Sequence, residues 1–401
     1  MIGLQDVLAA RERVRDSVYL SPCARTETLS RLSRTQAFLK LDNLQMTGAY
    51  KERGALNKLL GLGPAERARG LIAASAGNHA QAVAYHAGRL GVLATIVMPE
   101  TTPIMKVART RGHGARVVLA GASFDEAYSE ARRMEREEGL TFVHPFDDEA
   151  IIAGQGTLGL EVMEQVPELD AILVPVGGGG LVSGVAAAVK GLSPRTQVIG
   201  VEAEVLPCMQ AAVEAGELVT LEGASTLADG IAVKRAGEIT FEHVQSLVDD
   251  IVTVSEEEIA SAILYLLEQE KTVAEGAGAV GVAALMHHRV PGLEGKRVCS
   301  VISGGNIDVN VVARVIERGL VKDGRLVRIN IHLLDKPGQL TIVSGIISGL
   351  RANVIEVQHS RAFTEKFGDT TLLLTLETRG PEHVDEILGA LRGQGYRVDR
   401  V

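Results

Sequence analysis

The stretch AILVPVGGGGLVSG, residues 171–184, indicates both the fold class and a ligand site. A continuous apolar strand, four glycines and the start of an apolar helix are typical of parallel sheets covered on both faces. Four adjacent glycines cost backbone entropy on folding, which a merely structural turn rarely needs. Bare N–H groups at the positive end of a helix favour a phosphate cradle instead. Because the run is neither GxGxxG nor GxxxxGK followed by Ser or Thr, it does not predict a dinucleotide or nucleoside-triphosphate loop.

The same alternation of apolar strands and periodic helices extends from about residue 37 to residue 305. Besides the strand at 171–176, seven strands are predicted, at residues 38–41, 71–75, 94–99, 116–120, 197–203, 251–254 and 298–303. Helical patterns such as 78–90 and 124–138 lie between them. This order predicts an α/β fold with parallel sheets, in which ligands bind at the carboxyl ends of the strands.

After about residue 320 the pattern changes. The polar stretch 321–325 predicts a linker between a first domain, residues 1–320, and a second, residues 326–401. The second domain is predicted to contain a strand, a helix, two strands, a helix and a strand, at residues 326–334, 340–350, 353–362, 370–378, 381–395 and 396–398. This β-α-β-β-α-β order is ferredoxin-like.

The composition excludes several classes of partner. The 401 residues carry a net charge of -9, only 3% of them are aromatic and Trp is absent, which argues against nucleic acid. No apolar run approaches the ~18 residues of a membrane span, and residues 1–17 predict a charged amphipathic helix rather than a signal peptide. The chain has three cysteines, Cys23, Cys208 and Cys299. Their odd number and wide spacing fit neither a disulfide framework nor a metal-binding motif. We therefore expect a cytoplasmic protein.

Four further segments carry polar residues where predicted strands end. Lys51, in TGAYKERGA (47–55), follows a strand and opens a helix, where burial lowers a lysine pKa and frees the amine for Schiff-base chemistry; most lysines, however, are only surface charges. In SAGNHAQA (75–82), Ser75 predicts a helix N-cap with N–H groups open to a carboxylate, although an ordinary capped helix fits equally well. EGAGAVG (275–281) and SGGNID (303–308) are weak signals when each is taken alone.

In this order, the segments resemble those of the fold-type II pyridoxal-phosphate enzymes, and within them the threonine dehydratases, over about residues 10–318. The resemblance implies a tryptophan synthase β-like fold of two parallel-sheet subdomains, the smaller (about residues 40–145) inserted in the larger, and pyridoxal 5'-phosphate as cofactor. It implies that Lys51 holds the cofactor as a Schiff base, that Asn78 hydrogen-bonds its phenolic oxygen, and that Ser303 contacts its pyridine nitrogen. Glu275 would line the pocket. The implied phosphate cradle is the backbone of Gly177, Gly178, Gly179, Gly180 and Leu181, and the implied substrate-carboxylate residues are Thr47, Ser75, Asn78 and His79.

The activity implied by the resemblance is that of a threonine ammonia-lyase, which converts L-threonine to 2-oxobutanoate and ammonia. L-Serine would give pyruvate as a side activity, because one methyl group discriminates weakly. Ala76 stands where racemases of the family carry a hydroxyl, which disfavours racemisation. Glu202 matches a metal-binding glutamate of the racemase-like branch, but Cys208 replaces the aspartate expected six residues later. No metal is therefore assigned, and Glu202 is only a candidate neighbour of a cation.

Residues 326–401 resemble the ACT regulatory domain, and the loop DKPGQL (335–340) carries the match. The resemblance implies side-by-side pairing into a homodimer or homotetramer, with isoleucine or valine bound at the seam; an oligomerisation module without a ligand stays open. Two other functions stay open as well. One is a related lyase such as a serine dehydratase, which would share the cofactor site. The other is a non-catalytic amino-acid sensor, against which the presence of Lys51 argues.

Overall fold

The computed structural model describes residues 1–361 and 368–401, and the chain divides into two compact units, Met1–Ile307 and Asp308–Val401. The strands of the first unit are β1 (Cys23–Arg25), β2 (Gln36–Leu41), β3 (Leu71–Ala74), β4 (Ala94–Met98), β5 (Arg116–Leu119), β6 (Thr141–Phe142), β7 (Ala171–Pro175), β8 (Gln197–Ala203), β9 (Asp250–Val254) and β10 (Arg297–Ile302). Its helices are α1 (Leu4–Val14), α2 (Glu27–Ser33), α3 (Lys51–Gly61), α4 (Pro64–Arg69), α5 (Asn78–Arg89), α6 (Ile104–Gly112), α7 (Phe124–Glu138), α8 (Glu149–Gln165), α9 (Gly180–Leu192), α10 (Cys208–Ala215), α11 (Glu238–Leu247), α12 (Glu256–Glu268) and α13 (Gly276–Met286).

Two sheets organise the first unit. The larger has the order β1-β2-β10-β7-β8-β9, and all its neighbouring strands are parallel except β1 and β2. The smaller has the order β5-β4-β3-β6 and is entirely parallel. The smaller sheet uses only strands that lie between β2 and β7 in the sequence. The predicted fold of two parallel-sheet α/β subdomains is therefore what the structure has.

Burial on both faces explains why these strands were predictable. Every residue of β3, β4 and β7 is buried, as expected for parallel strands covered by helices on each side. All eight predicted strands of this unit are present within two residues of their predicted bounds. The two strands that the sequence analysis missed, β1 and β6, have three and two residues and no apolar periodicity. Cys23 in β1 and Cys299 in β10, predicted as isolated thiols, lie with their sulfur atoms 3.7 Å apart.

Close backbone contact between helices fixes the middle of the first unit. A Cβ atom added to Gly156 in α8 would lie 2.6 Å from the carbonyl oxygen of Gly184 in α9, so only glycine allows the two helices to approach this closely. Both helices are buried along most of their length. The glycine-rich loop leads directly into α9, so this close packing fixes the helix that the loop begins.

The second unit contains α14 (Val309–Lys322), β11 (Leu326–Leu334), α15 (Gln339–Gly349), β12 (Asn353–Ser360), β13 (Asp369–Glu377), α16 (Pro381–Gly393) and β14 (Arg397–Arg400). Its antiparallel sheet has the order β12-β13-β11-β14, which is the predicted ferredoxin-like arrangement. The helix α14, which the sequence analysis assigned to the first domain, groups with this unit and continues to Lys322. The predicted end of the strand 353–362, at Ala362, lies outside the described residues. Within the described part of the chain, none of the helices combines the length and the apolar composition that a membrane span requires.

Candidate active site

A cleft of about 890 Å³ lies at the carboxyl ends of strands from both sheets of the first unit. Its walls include six of the residues singled out from the sequence, namely Lys51, Ser75, Asn78, His79, Glu275 and Ser303. They come from four segments that are far apart in the chain. The structure therefore brings together the lysine, the Ser-Ala-Gly-Asn-His loop, the glutamate and the Ser-Gly-Gly-Asn segment.

Two of these segments, residues 47–50 and 303–306, pair as a short antiparallel ladder. The Tyr50 N–H donates to the carbonyl of Ser303 at 2.9 Å, and the Gly305 N–H donates to the carbonyl of Gly48 at 2.9 Å. An isolated antiparallel bridge joins the residues between them. Gly48 has a φ of 77°, a conformation that favours glycine. The ladder fixes the first residue of α3, Lys51, beside Ser303.

The environment of Lys51 suits an amine that must lose its proton. Its Nζ donates to the carbonyl oxygen of Pro145 at 2.8 Å and lies 5.3 Å from the centre of the Tyr50 ring. Burial lowers the pKa of Lys51 to about 8, although the negative charge of Glu275 opposes this shift. At pH 7 roughly a tenth of such amines are neutral, about 300 times more than for a solvated lysine. A neutral amine is the nucleophile that Schiff-base chemistry requires.

Three side chains form a hydrogen-bonded chain across the cleft. Asn78 Nδ2 donates to Glu275 Oε1 at 2.7 Å, and Asn306 Nδ2 donates to Asn78 Oδ1 at 2.5 Å. Burial, reinforced by the charge of Asp229, raises the pKa of Glu275 to about 7. In the segment SGGNID, the sequence pattern pointed to Ser303 but not to Asn306.

The predicted carboxylate site differs in detail from the expectation. Helix α5 begins at Asn78 with Gly77 as its N-cap, whereas Ser75 Oγ accepts the Gly77 N–H at 3.2 Å in a turn that precedes the helix. Ser75 is therefore not the N-cap, because the chain needs two more residues to turn from β3 into α5. The N–H groups at the start of α5 have no acceptor within the helix, so they remain suited to an anion.

His79 supplies no charge to this anion site. Its Nε2 lies 2.9 Å from the carbonyl oxygen of Val143, which can only accept, so Nε2 carries the proton. Burial, with the nearby charge of Lys51, lowers the pKa of His79 to about 3. The ring is consequently neutral and anchors the end of the smaller sheet.

Thr47 lies at the edge of the site rather than in the main cleft. It lines an adjoining cavity of about 530 Å³ together with Gln81, Arg109 and Asn306, which border both cavities. Its Oγ1 is buried and has no hydrogen-bond partner among the described residues. A buried hydroxyl without a partner is costly, so this atom is suited to a polar group of a bound ligand.

The glycine-rich loop has no room for side chains. Residues 177–181 are buried, and Gly179, the N-cap of α9, has a φ of 93°. A Cβ atom on Gly178 would lie 2.5 Å from carbons of the Phe146 ring, and one on Gly177 would lie 2.9 Å from Ile231. The Gly178 carbonyl accepts from Thr240 Oγ1 at 2.6 Å. The first N–H groups of α9 lack acceptors within the helix, as a phosphate cradle requires.

Glu202 has a structural partner in this fold. Its two carboxylate oxygens accept the N–H groups of Met209 and Gln210 at 3.0 and 2.8 Å, at the start of α10. Burial raises its pKa to about 7. In the part of the chain that the structure describes, no group of three or more His, Cys, Asp or Glu residues could hold a metal ion.

The sequence analysis missed the segment of residues 143–148, which touches most parts of the site. Besides the Lys51 contact through Pro145 and the Gly178 contact through Phe146, Asp147 accepts the N–H groups of Glu238 and Thr240 at 3.0 and 3.1 Å. His144 Nδ1 accepts the Asp147 N–H at 2.7 Å, and burial lowers the pKa of His144 to about 4. This segment follows β6, whose two residues gave no strand signal from which a strand end could be read.

Comparison with known proteins identifies the family. The sequence profile of the family described as "Pyridoxal-phosphate dependent enzyme" matches residues 14–304. The chain belongs to this family. It is 50% identical over 399 residues to "L-threonine ammonia-lyase" of Thermotoga maritima, a match that covers 99% of each chain. It is 47% identical over 391 residues to the protein of the same name from Geobacter sulfurreducens, which covers 97% of each.

A solved structure agrees with this assignment. The processed form of threonine deaminase isoform 2 from Solanum lycopersicum superposes with a TM-score of 0.74 at 37% identity, covering 78% of this chain and 86% of that one. The cofactor of the family, pyridoxal phosphate, fits the residues present. Lys51 offers an amine of low pKa, Gly177–Gly180 offer backbone N–H groups at positions where a Cβ atom would clash, and Ser303 offers a neutral, buried hydroxyl.

Proposed function

We propose that this pyridoxal-phosphate enzyme eliminates water from L-threonine and releases an enamine, which water then hydrolyses to 2-oxobutanoate and ammonia. L-Serine is a second substrate. The observation that carries the proposal is the buried amine of Lys51, which lines one cleft together with Ser303 and the start of α5, where a carboxylate can bind. The printed names of the relatives at 50% and 47% identity support the choice of threonine.

The protein's own residues divide the work of the reaction. When bound, pyridoxal phosphate withdraws electrons from the carbon that carries the substrate amine. Lys51 Nζ, neutral because burial lowers its pKa, removes the proton from that carbon. The same Nζ, now protonated, donates to the departing hydroxyl group. Ser303 contributes a neutral hydroxyl rather than a carboxylate, so it adds no charge that would hold a proton on the ring nitrogen.

The substrate carboxylate binds at the start of α5. The N–H groups of this first turn, the Ser75 hydroxyl and the unpartnered hydroxyl of Thr47 are the donors available to it. His79 takes part through its backbone, because its neutral ring donates to Val143. Discrimination between threonine and serine rests on a single methyl group and is therefore expected to be modest, on the order of 1–3 kcal/mol.

The test is an absorbance spectrum of the purified protein, followed by detection of 2-oxo acid after addition of threonine or serine. The expected protein is yellow and forms 2-oxobutanoate from threonine, and Lys51→Ala loses both properties. Lys296→Ala, at an exposed lysine of the same unit, is the matched control and should keep both. A colourless protein that pyridoxal phosphate does not reconstitute would favour the amino-acid sensor. A yellow protein that turns over serine but not threonine would favour a serine dehydratase.

We further propose that the second unit is an ACT domain that pairs copies of this chain and binds isoleucine or valine. Its support is the ferredoxin-like order, the left-handed conformation of Gly338 (φ of 89°) before α15, and the edge strand β12, on which Ile355 and Val357 are exposed. Calorimetric titration with isoleucine and valine, using glutamate as the control ligand, and light scattering test it. A monomer that binds neither amino acid would contradict it.

The three free cysteines support a cytoplasmic setting, where thiols stay reduced.

A further inference from the structure

We propose that Asn306 is a positioning residue that locks the cofactor side of the cleft, through Asn78, to the substrate side, through Thr47. The inference rests on the proposed function, because the roles of Asn78 and Thr47 belong to it. Asn306 itself has no role in the proposed reaction. Its assignment comes from the hydrogen bonds of its side chain and from its place at the end of the ladder.

The side-chain amide of Asn306 donates hydrogen bonds to both sides of the cleft. Its Nδ2 donates to the carbonyl oxygen of Thr47 at 2.9 Å and to Asn78 Oδ1 at 2.5 Å. An amide nitrogen has two hydrogens, so both are used. A Cβ atom on Gly48 would lie 3.1 Å from Asn306 Oδ1, so the glycine opposite leaves room for this side chain. The contact extends the backbone ladder by one further rung.

The bond to Asn78 determines which way the Asn78 amide faces. Because Oδ1 of Asn78 accepts from Asn306, its Nδ2 must face the carboxylate of Glu275, to which it donates at 2.7 Å. Without the Asn306 donor, Oδ1 of the Asn78 amide would lose its hydrogen bond to Asn306. The orientation of the amide would then depend on its contact with Glu275 alone.

The bond to Thr47 completes a clamp on its peptide groups. The N–H of Thr47 donates to the carboxylate of Glu52, a fully buried side chain in the first turn of α3, while its carbonyl accepts from Asn306. Both backbone groups are therefore held by side chains, and only the hydroxyl is left without a partner. Asn306 thereby sets the position of this hydroxyl relative to Asn78.

The experiment compares Asn306→Asp and Asn306→Ala with the wild type. The aspartate keeps the size of the side chain but turns a carboxylate toward two carbonyl-type oxygens, whereas the alanine only removes the donors. Asn310→Asp, at an exposed asparagine four residues further on, is the matched control. The readouts are the affinity of the apoenzyme for pyridoxal phosphate, the KM for threonine and the melting temperature. We expect about tenfold weaker cofactor binding and a higher KM in Asn306→Ala, and larger effects in Asn306→Asp.

A double-mutant cycle separates positioning from general loosening of the structure. If Asn306 acts through Asn78, the variant Asn78→Ala/Asn306→Ala binds the cofactor no more weakly than Asn78→Ala alone. Additive losses, or unchanged cofactor affinity and KM in both Asn306 variants, would overturn the proposal. Cofactor affinity is measured without turnover. A wild type that binds pyridoxal phosphate but does not act on threonine would therefore refute the proposed function while leaving this cycle decisive.

Discussion

Replacement of Arg53 by alanine should destabilise the first unit strongly, because its guanidinium is fully buried between two carboxylates. Arg53 Nε and Nη2 donate to Asp42 at 2.7 and 2.9 Å, and Nη1 and Nη2 donate to Glu161 at 2.6 and 2.9 Å. Lys40, also fully buried, donates to Glu161 at 2.5 Å. Two cations and two carboxylates thus balance in the interior. Removing one cation leaves a carboxylate without compensation.

The size of the effect follows from this geometry. Breaking a buried ion pair from one side costs about 3–5 kcal/mol, because the remaining charge stays buried. The first unit has 307 residues. With an unfolding entropy of roughly 2.1 cal/mol/K per residue, that loss lowers the melting temperature by about 5–8 °C. The assay is calorimetric melting at pH 7. Arg133→Ala removes a cation whose ion pairs with Glu130 and Glu137 are exposed, and should leave the melting temperature unchanged.

The pH dependence tests the electrostatic cause separately. Burial by itself would raise the pKa of Asp42, but Arg53 and Lys40 hold that pKa below its ordinary value. In the wild type this carboxylate stabilises the fold above about pH 4, and the contribution is lost as the pH falls below that. In Arg53→Ala burial dominates, so Asp42 binds a proton in the folded state, and the deficit relative to the wild type should shrink from pH 8 to pH 5. A deficit that stays constant over this range, or a loss under 2 °C, would refute the reasoning.

Three further outcomes are expected. Gly178→Ala places a methyl group against the Phe146 ring. It should weaken pyridoxal-phosphate binding at least tenfold in an absorbance titration, and an unchanged affinity would contradict this prediction. The stopped-flow rate of cofactor uptake by the apoenzyme should rise about tenfold from pH 6 to pH 7 and level off above pH 9, because the Lys51 pKa is about 8; a rate still climbing at pH 10 would indicate an ordinary lysine. Burial and Asp229 raise the folded-state pKa of Glu275 to about 7, so the contribution of Glu275 to the stability of the apoenzyme should fall as the pH rises from about 4 to 7. Glu275→Gln should therefore gain stability relative to the wild type over that range in urea titrations, and a constant difference would contradict the raised pKa.

The elements that were predictable from the sequence are those whose pattern reflects burial. The strand β7 is apolar throughout because helices cover both of its faces, and the ferredoxin-like order was visible because β11 and β13 alternate between buried and more exposed residues. Short strands such as β6 give no such pattern. The end of β6 therefore went unnoticed, and with it the contact between Pro145 and Lys51.

The candidate site was visible only in part for a related reason. Lys51, Asn78 and Ser303 stand where predicted strands end, so their position itself was a signal. Arg53 has no such signal. Its partners Asp42 and Glu161 lie 11 and 108 residues away in the sequence, and an arginine in the motif KERGA resembles a surface charge until the fold brings the carboxylates to it. Pairing between distant charges follows from tertiary structure, which periodicity does not encode.

The ladder between residues 47–50 and 303–306 shows why even correctly selected residues did not define a mechanism. Its hydrogen bonds join backbone N–H and carbonyl groups, and every residue except proline carries both. The side chains of the two segments therefore do not indicate that the segments pair. Asn306 adds a side-chain bond between the two segments, and an asparagine after two glycines is as typical of a turn as of a site. Yet this ladder sets the distance between the amine and the residues opposite it. The chemistry of Lys51 therefore depends on a backbone register that the sequence determines through the whole fold rather than through any local motif.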